Sequence, residues 1–426
     1  MSVERIHIAY GKDGIDFAID SANLGDVLLP ALPAPGNATD IVREALRAPI
    51  GSPTLRELTE DVRKILLITN DNTRPMPSKI TLPLIIEEFF YPQTSYDITI
   101  QIANGLHRKM TKEEMLERIG PELCGRYPVV NHDAHDDAML DFVCDLSTGT
   151  PLYLNKRVTQ SDLVISEGFI EPHFFAGFSG GRKSMVPGVA GAKTIMSNHC
   201  PQNIANRYAV IANLHDNPVH NELMEAMKQT PLRFILNVAL DSEKRIMAAF
   251  SGDPEQAHRT GCNYVTEKMS LPCTPAPIVV TSNNGYPLDR NMYQIVKGID
   301  AAARAAQPDG VIIMAAQCMD GVGHIEYYEL LRRFSNRMEL YEATKTGESE
   351  IDKWQVQVLA RALKDHRVIL VSEGVDAAIA KDFFFEYAGS VEEALEMAYE
   401  SKGADARVNV IPDGPVIIPR PVATIR

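Results

Sequence analysis

The chain has 426 residues, 45% apolar and 23% charged, the balance of a soluble globular protein too long for one ordinary core. Its net charge of −14 opposes nucleic acid or an anionic membrane surface as a partner, although one basic pocket for a small anion is compatible with it. No apolar run of about 18 residues occurs, and MSVERIHIAYGKDG is polar where a signal peptide needs an apolar stretch, so a cytoplasmic protein is expected.

Residues 1–60 mix short apolar runs with Pro and Gly, and Thr39 or Asp40 can cap a helix over IVREALRAP. RKILLITN (63–70) reads as a buried strand that ends in the loop DNTRPMPS. Pro75 and Pro77 bar its continuation, and Ser78 can start a helix through KITLPLIIEEFF. SYDITIQIAN (95–104) is a second strand, leading through GLHRKM to a helix whose capping box is Thr111 and Glu114. SDLVISEG (161–168) is a third, feeding EPHFFAGFSGGRKS. In open α/β sheets ligands bind beyond the carboxyl ends of the strands, which places Asp71, Arg74, His107, His173 and Lys183 on one rim.

Further on, NELMEAMKQ reads as a helix, LRFILNVAL as a strand and PEQAHRTGCNYVTEK as a helix. SLPCTPAP (270–277) looks like a linker, after which strands and helices alternate again from PIVVTSN to RVNVIPDG. The fold class is therefore α/β: two α/β domains with largely parallel sheets and an active site in the cleft between them. We place an N-terminal domain at 1–272 with the cofactor and histidines, and a smaller C-terminal domain at 273–407 that closes on the substrate. The tail 408–426 is expected to return to the first.

The densest chemistry lies at 171–200, EPHFFAGFSGGRKSMVPGVAGAKTIMSNHC. Glycines let backbone N–H groups converge on an anion, and Lys183 adds a point charge. GFSGGRKS nearly fits a P-loop counted from Gly177, but Arg182 stands where that motif needs glycine. An ordinary glycine-rich loop and a covalent attachment point at Lys183 are the other readings. His107 and His173 follow equivalent strand ends, beside Arg108 and Glu171, and could exchange protons with opposite faces of a substrate at neutral pH. In DNTRP, Arg74 could fork the Asp71 carboxylate, or Asp71 could orient a neighbour. HDAHDD (132–137) has metal-ligand residue types but the crowding of a solvated turn. The six cysteines form no CxxC pair, and His199 has no helical ligand partner for a protein-only zinc cage. It could be the sole protein ligand of a metal held mainly by a cofactor.

EPHFFAGFSGGRKSMVPGVAG, with DNTRP, GLHR and YQIVKG in order between residues 60 and 360, closely resembles the nickel-pincer lactate racemase family. The resemblance implies a pyridinium mononucleotide whose two sulfur-bearing arms hold nickel. It makes Lys183 the covalent tether, His199 the nickel ligand, and His107 and His173 the catalytic acid/base pair. Gly177, Ser179, Gly180, Gly181, Arg182 and Asp71 become cofactor contacts. Arg74 and Lys297 would bind the substrate carboxylate, with Tyr293, Gln294 and Trp354 lining the pocket. The implied chemistry is racemisation or epimerisation of a small 2-hydroxy acid, by hydride transfer to and from the nucleotide through a 2-keto acid. Proteins that build the cofactor are the implied partners. Asn72 and Leu106 would border the substrate side chain, which leaves lactate, malate, another 2-hydroxy acid or a sugar acid open. Rival readings are a nucleotide-dependent kinase or ATPase and a non-catalytic cofactor carrier.

Overall fold

Two six-stranded sheets organise the computed structural model, which describes residues 2–32, 34–89 and 95–422. The first sheet runs Ile246–Gly252, Leu232–Leu240, Leu163–Phe169, Lys64–Asn70, Asp97–Ala103, Val129–Asn131 across its width. All neighbours are parallel except the first pair, which is antiparallel. Its central strands are apolar on both faces, because helices cover each side. The strand order reverses around Lys64–Asn70, so a crevice opens at its carboxyl end.

The expected elements fall close to their places. The box of Thr111 and Glu114 caps Lys112–Ile119, and Ser78 is the first residue of Ser78–Glu87. The last residue expected in that helix, Phe90, lies outside the described residues. One cap differs: Ala38–Arg47 is capped by Asn37, whose side chain accepts from the amides of Thr39 and Asp40. Asn37 has the extended backbone that a cap requires, whereas Thr39 and Asp40 already lie inside the helix. Ile246–Gly252 and the helix Arg337–Thr344 were not foreseen from local pattern.

The second sheet is wholly parallel, in the order Glu386–Ala388, Arg367–Val371, Ala306–Ala315, Ala276–Ser282, Val408–Ile411, Leu24–Val27. Its last two members do not follow the expected division at 272/273. Leu24–Val27 pairs with Val408–Ile411, and the hairpin Val3–Ile8 with Ile15–Asp20 packs Ile8, Phe17 and Ile19 against Ile278, Val280 and Ile313. The chain thus starts on the second sheet, crosses to build the first, and comes back. The tail behaves likewise: its strand Val408–Ile411 lies inside the second sheet. SLPCTPAP also forms more than a linker, since Ser270–Cys273 pairs in parallel with Ile418–Pro421.

The two sheets share one continuous apolar core that includes Phe174, Phe175, Val189, Ile295, Trp354 and Leu359. The helix Lys353–Asp365 spans the junction. Its Gln357 donates to the Pro201 carbonyl at 2.9 Å, and Arg361 to the carbonyls of Phe174 and Ala209 at 3.1 Å. Among the described residues no helix is long and apolar enough to cross a membrane.

Candidate active site

A cavity of about 540 Å³ lies where the strand ends of the first sheet face the second sheet's helices. Asp71, Arg74, His107, His173, Lys183, His199, Tyr293, Gln294, Lys297 and Trp354 all line it, together with Ser179, Gly180 and Gly181. The residues placed on one rim from strand endings do therefore converge. Those from beyond residue 290 close the cavity from the opposite side.

Asp71 follows the strand Lys64–Asn70 and is buried. Its Oδ2 lies 2.6 Å from His107 Nδ1, while Oδ1 accepts from the Thr73 amide and hydroxyl. Burial alone would raise this carboxyl, but His107, Arg74 and the Thr73 hydroxyl outweigh it and hold the group well below the usual carboxylate range. An ionised carboxylate only accepts, so His107 Nδ1 donates to it, and in the neutral ring the lone pair is then on Nε2. The Arg74 fork on Asp71 does not form; the guanidinium donates to the Thr73 carbonyl and hydroxyl instead. Arg118, at the end of the capped helix, donates to the carbonyls of Asp71, Arg74 and Met76 and so fixes this loop. Arg108 turns away from His107 to pair with Glu114.

His173 is in the opposite state. Its Nδ1 accepts from the amides of Ala176 at 3.3 Å and Phe175 at 3.5 Å, and Nε2 lies 2.9 Å from Lys183 Nζ. A neutral imidazole has one acceptor nitrogen, so Nε2 carries the proton and Lys183 accepts it through an amine lone pair. Burial, then the neighbouring cations, push both groups in the direction this requires: His173 and Lys183 sit well below their ordinary values. Lys183 is thus a half-buried amine that holds its proton weakly, the condition under which a lysine can act as a nucleophile.

His199 ends the helix Ala192–Asn198 and is clasped edge-on by Phe175 at 5.0 Å and Trp354 at 5.3 Å. Burial and then Lys183 bring it down to about 3, so it is neutral. Its Nδ1 is buried, and among the described residues neither ring nitrogen has a hydrogen-bond partner. An orphaned imidazole suits a metal such as nickel. Lys297 is lowered to about 8, mainly by burial and then by Arg74. Lys297 and Arg74 both line the cavity and act on each other electrostatically.

The glycine loop divides into a wall and a support. Gly180 has φ +76, and a Cβ there would meet Asn237 Oδ1 at 2.7 Å. Gly177 and Arg182, expected among the cofactor contacts, do not line the cavity. Gly177 pairs with His173, and a Cβ on it would meet the Asn213 carbonyl at 2.3 Å. Arg182 is fully buried beneath the loop, donating to the Ala176 and Gly180 carbonyls and lying 3.0 Å from His258 Nε2. Asp71 lines the cavity, but its oxygens are engaged by His107 and Thr73. Leu106 borders the cavity as expected; Asn72 instead donates to Glu114.

Sequence reasoning passed over Asn70, Ser166 and Glu167, although the same strand-end rule that selected Asp71 covers them. Glu167 is buried and raised by desolvation, against hydrogen bonds from Ser78, Thr69 and Thr81. His324, Asp352 and Gln355 also line the cavity, and no local signal marks them. The HDAHDD run holds no metal-ligand cluster; His132 bonds the Ala190 carbonyl and Asn155, and no such cluster exists among the described residues.

Two family models cover most of the chain: the lactate racemase N-terminal domain over residues 10–211 and the lactate racemase C-terminal domain over 271–418. The lactate racemase of Thermoanaerobacterium thermosaccharolyticum is 40% identical over 422 residues, 98% of this chain and 99% of that protein. That of Lactiplantibacillus plantarum is 39% identical over 415 residues, 96% and 98% of the two chains. The solved apoprotein of the Thermoanaerobacterium lactate racemase superposes with a TM-score of 0.94, covering 98% of this chain and all of that one. A Thermotoga maritima protein, 18% identical with a TM-score of 0.70 over 92% of this chain, shares the fold. The chain belongs to the lactate racemase family and is an isomerase.

Proposed function

We propose that the protein interconverts the enantiomers of a small, lactate-like 2-hydroxy acid through a planar 2-keto acid, using a nickel-pincer nucleotide. The observation that supports the reading is two histidines in one cavity whose Nδ1 atoms are engaged in opposite senses, that of His107 by the Asp71 carboxylate and that of His173 by the Ala176 amide. His107, as a neutral ring, can take the hydroxyl proton; His173, neutral in the cofactor-free protein, would return one only after gaining a second proton, and turnover in the reverse sense exchanges their roles.

The residues present fit the nucleotide. His199 has an unpaired nitrogen for nickel, and Lys183 brings an amine into the cavity for covalent attachment. Ser179, Gly180 and Gly181 would cradle the phosphate side of the mononucleotide. When bound, the nucleotide supplies the hydride acceptor and donor. The protein's own groups do the rest. Arg74 and Lys297 grip the substrate carboxylate, whose charge offsets their mutual repulsion, and fix C2 between the histidines. Asp71 holds His107 in its base-ready tautomer. The proteins that build the cofactor are the partners this reading requires.

The test is chiral chromatography of single-enantiomer lactate incubated with protein co-produced with the cofactor's biosynthetic proteins. A mixture of both enantiomers is expected, with nickel in the protein and a mass adduct absent from Lys183→Ala. Holoprotein inactive on every 2-hydroxy acid overturns the reading. His107→Ala and His173→Ala should each lower kcat on the order of 10²–10⁴-fold with nickel retained; a protein that only carried the cofactor would have no turnover to lose.

A further inference from the structure

The wall opposite His107 carries a second aspartate–histidine pair. His324 Nδ1 lies 2.9 Å from Asp352 Oδ2; the aspartate side chain is 4% exposed and the histidine 36%. The His324 ring stacks on Tyr293, with centroids 4.0 Å apart and planes 20° from parallel. Both residues of the pair and Tyr293 line the cavity. As with Asp71 and His107, a carboxylate only accepts, so Nδ1–H donates to it, and in the neutral ring His324 Nε2 is the remaining acceptor. Among the described residues Nε2 has no hydrogen-bond partner, and the pair has no part in the proton transfers described above.

Its position is fixed relative to the carboxylate grip. Tyr293 and Lys297 are four residues apart in the helix Met292–Ala303, hence one turn apart on one face, about 5–6 Å between Cβ atoms. A 2-hydroxy acid held by its carboxylate at Lys297 has its carbon chain within reach of Tyr293 and the ring stacked on it. We propose that His324, oriented by Asp352, is a specificity-determining residue that accepts a hydrogen bond from a hydroxyl on the substrate carbon beyond C2. This rests on the 2-hydroxy-acid reading. The chemistry of the wall selects hydroxyl over other groups. The Nε2 lone pair needs a donor, which a second carboxylate lacks at neutral pH, and Asp352 and the neighbouring Glu326 would repel it. A methyl group leaves Nε2 with no partner when substrate excludes water. A hydroxyl can donate to Nε2 and accept in return from protein or water.

The experiment compares glycerate, which is lactate with a hydroxyl on C3, against lactate on the nickel-loaded holoenzyme. The ratio of kcat/KM for glycerate to that for lactate should fall on the order of 10-fold in His324→Leu, chiefly through KM for glycerate. It should be restored in part by His324→Gln, which keeps an acceptor, and should fall less in Asp352→Asn. An unchanged ratio in His324→Leu overturns the proposal, as does a wild-type enzyme that racemises lactate but not glycerate. Loss of nickel or of the mass adduct in both His324 variants would instead assign the pair to the nucleotide, and also overturns it. If no 2-hydroxy acid is turned over, the underlying reading falls first and this one with it.

Discussion

The two walls of the cavity reach their chemistry by different routes. On the first sheet, Asp71, His107 and His173 follow directly on strands or the turns leaving them, and each is fixed by bonds to its own neighbourhood. On the second, Tyr293, Lys297, Trp354, His324 and Asp352 come from helices and loops brought together only when that sheet docks. On the first wall burial, and after it the cations around the cavity, depress the proton affinity of His173. In the proposed reading, the difference teaches that proton chemistry belongs to the strand ends, whereas substrate selection belongs to the wall that packs against them.

The sharpest way to break this comparison is Asp71→Asn. An amide no longer enforces the Nδ1–H tautomer of His107, and kcat should drop on the order of 10²–10⁴-fold with nickel content unchanged. The same variant tests the charge state. A carboxyl lowered in the folded protein stabilises above its unfolded value near pH 4, and that contribution is lost as pH falls further. The urea-stability gap between wild type and variant should therefore be level at neutral pH and shrink below about pH 4.

Lys183→Met should act in the opposite sense on stability. The folded amine holds its proton less tightly than the unfolded one, which keeps it to about pH 10.4, so the unfolded state binds more protons and wild-type stability rises with pH between the two values. The cofactor-free variant should be more stable than wild type at pH 7. Its advantage should narrow toward pH 10, by up to about 1.4 kcal/mol per unit. A pH-independent difference in chemical denaturation would show that Lys183 is protonated in the fold.

The smallest effect is expected at His199. Leucine in its place removes an unpaired buried nitrogen, and the cofactor-free protein should gain about 1 kcal/mol in urea melts while losing nickel. Destabilisation would show that the ring nitrogen is satisfied in solution.

Much of the first wall was legible because its signals are local. Apolar runs such as ILLIT mark strands buried on both faces, proline ends them, and the residues that follow must stand on the rim. Thr111 with Glu114 announced its helix for the same reason, since a capping box spans one turn. Leu24–Val27 was not legible: LGDV has no strand pattern of its own and is extended because it pairs with Val408–Ile411. The roles of Arg182 and Lys183 could not be separated by composition either. They are adjacent and alike in charge, and only the turn at Gly180–Gly181 sends one beneath the loop and the other into the cavity.

The sequence by itself determined the α/β class, the four central strands of the first sheet, the convergence of Asp71, Arg74, His107, His173 and Lys183, and the family to which the chain belongs. The tertiary structure decided which strands complete the second sheet, which partners His107 and His173 meet, and that His324 meets Asp352 across 28 residues. Periodicity and punctuation are short-range properties of a chain and survive in its sequence. Protonation states and distant pairings depend on burial and on neighbours that exist only after the two sheets have packed.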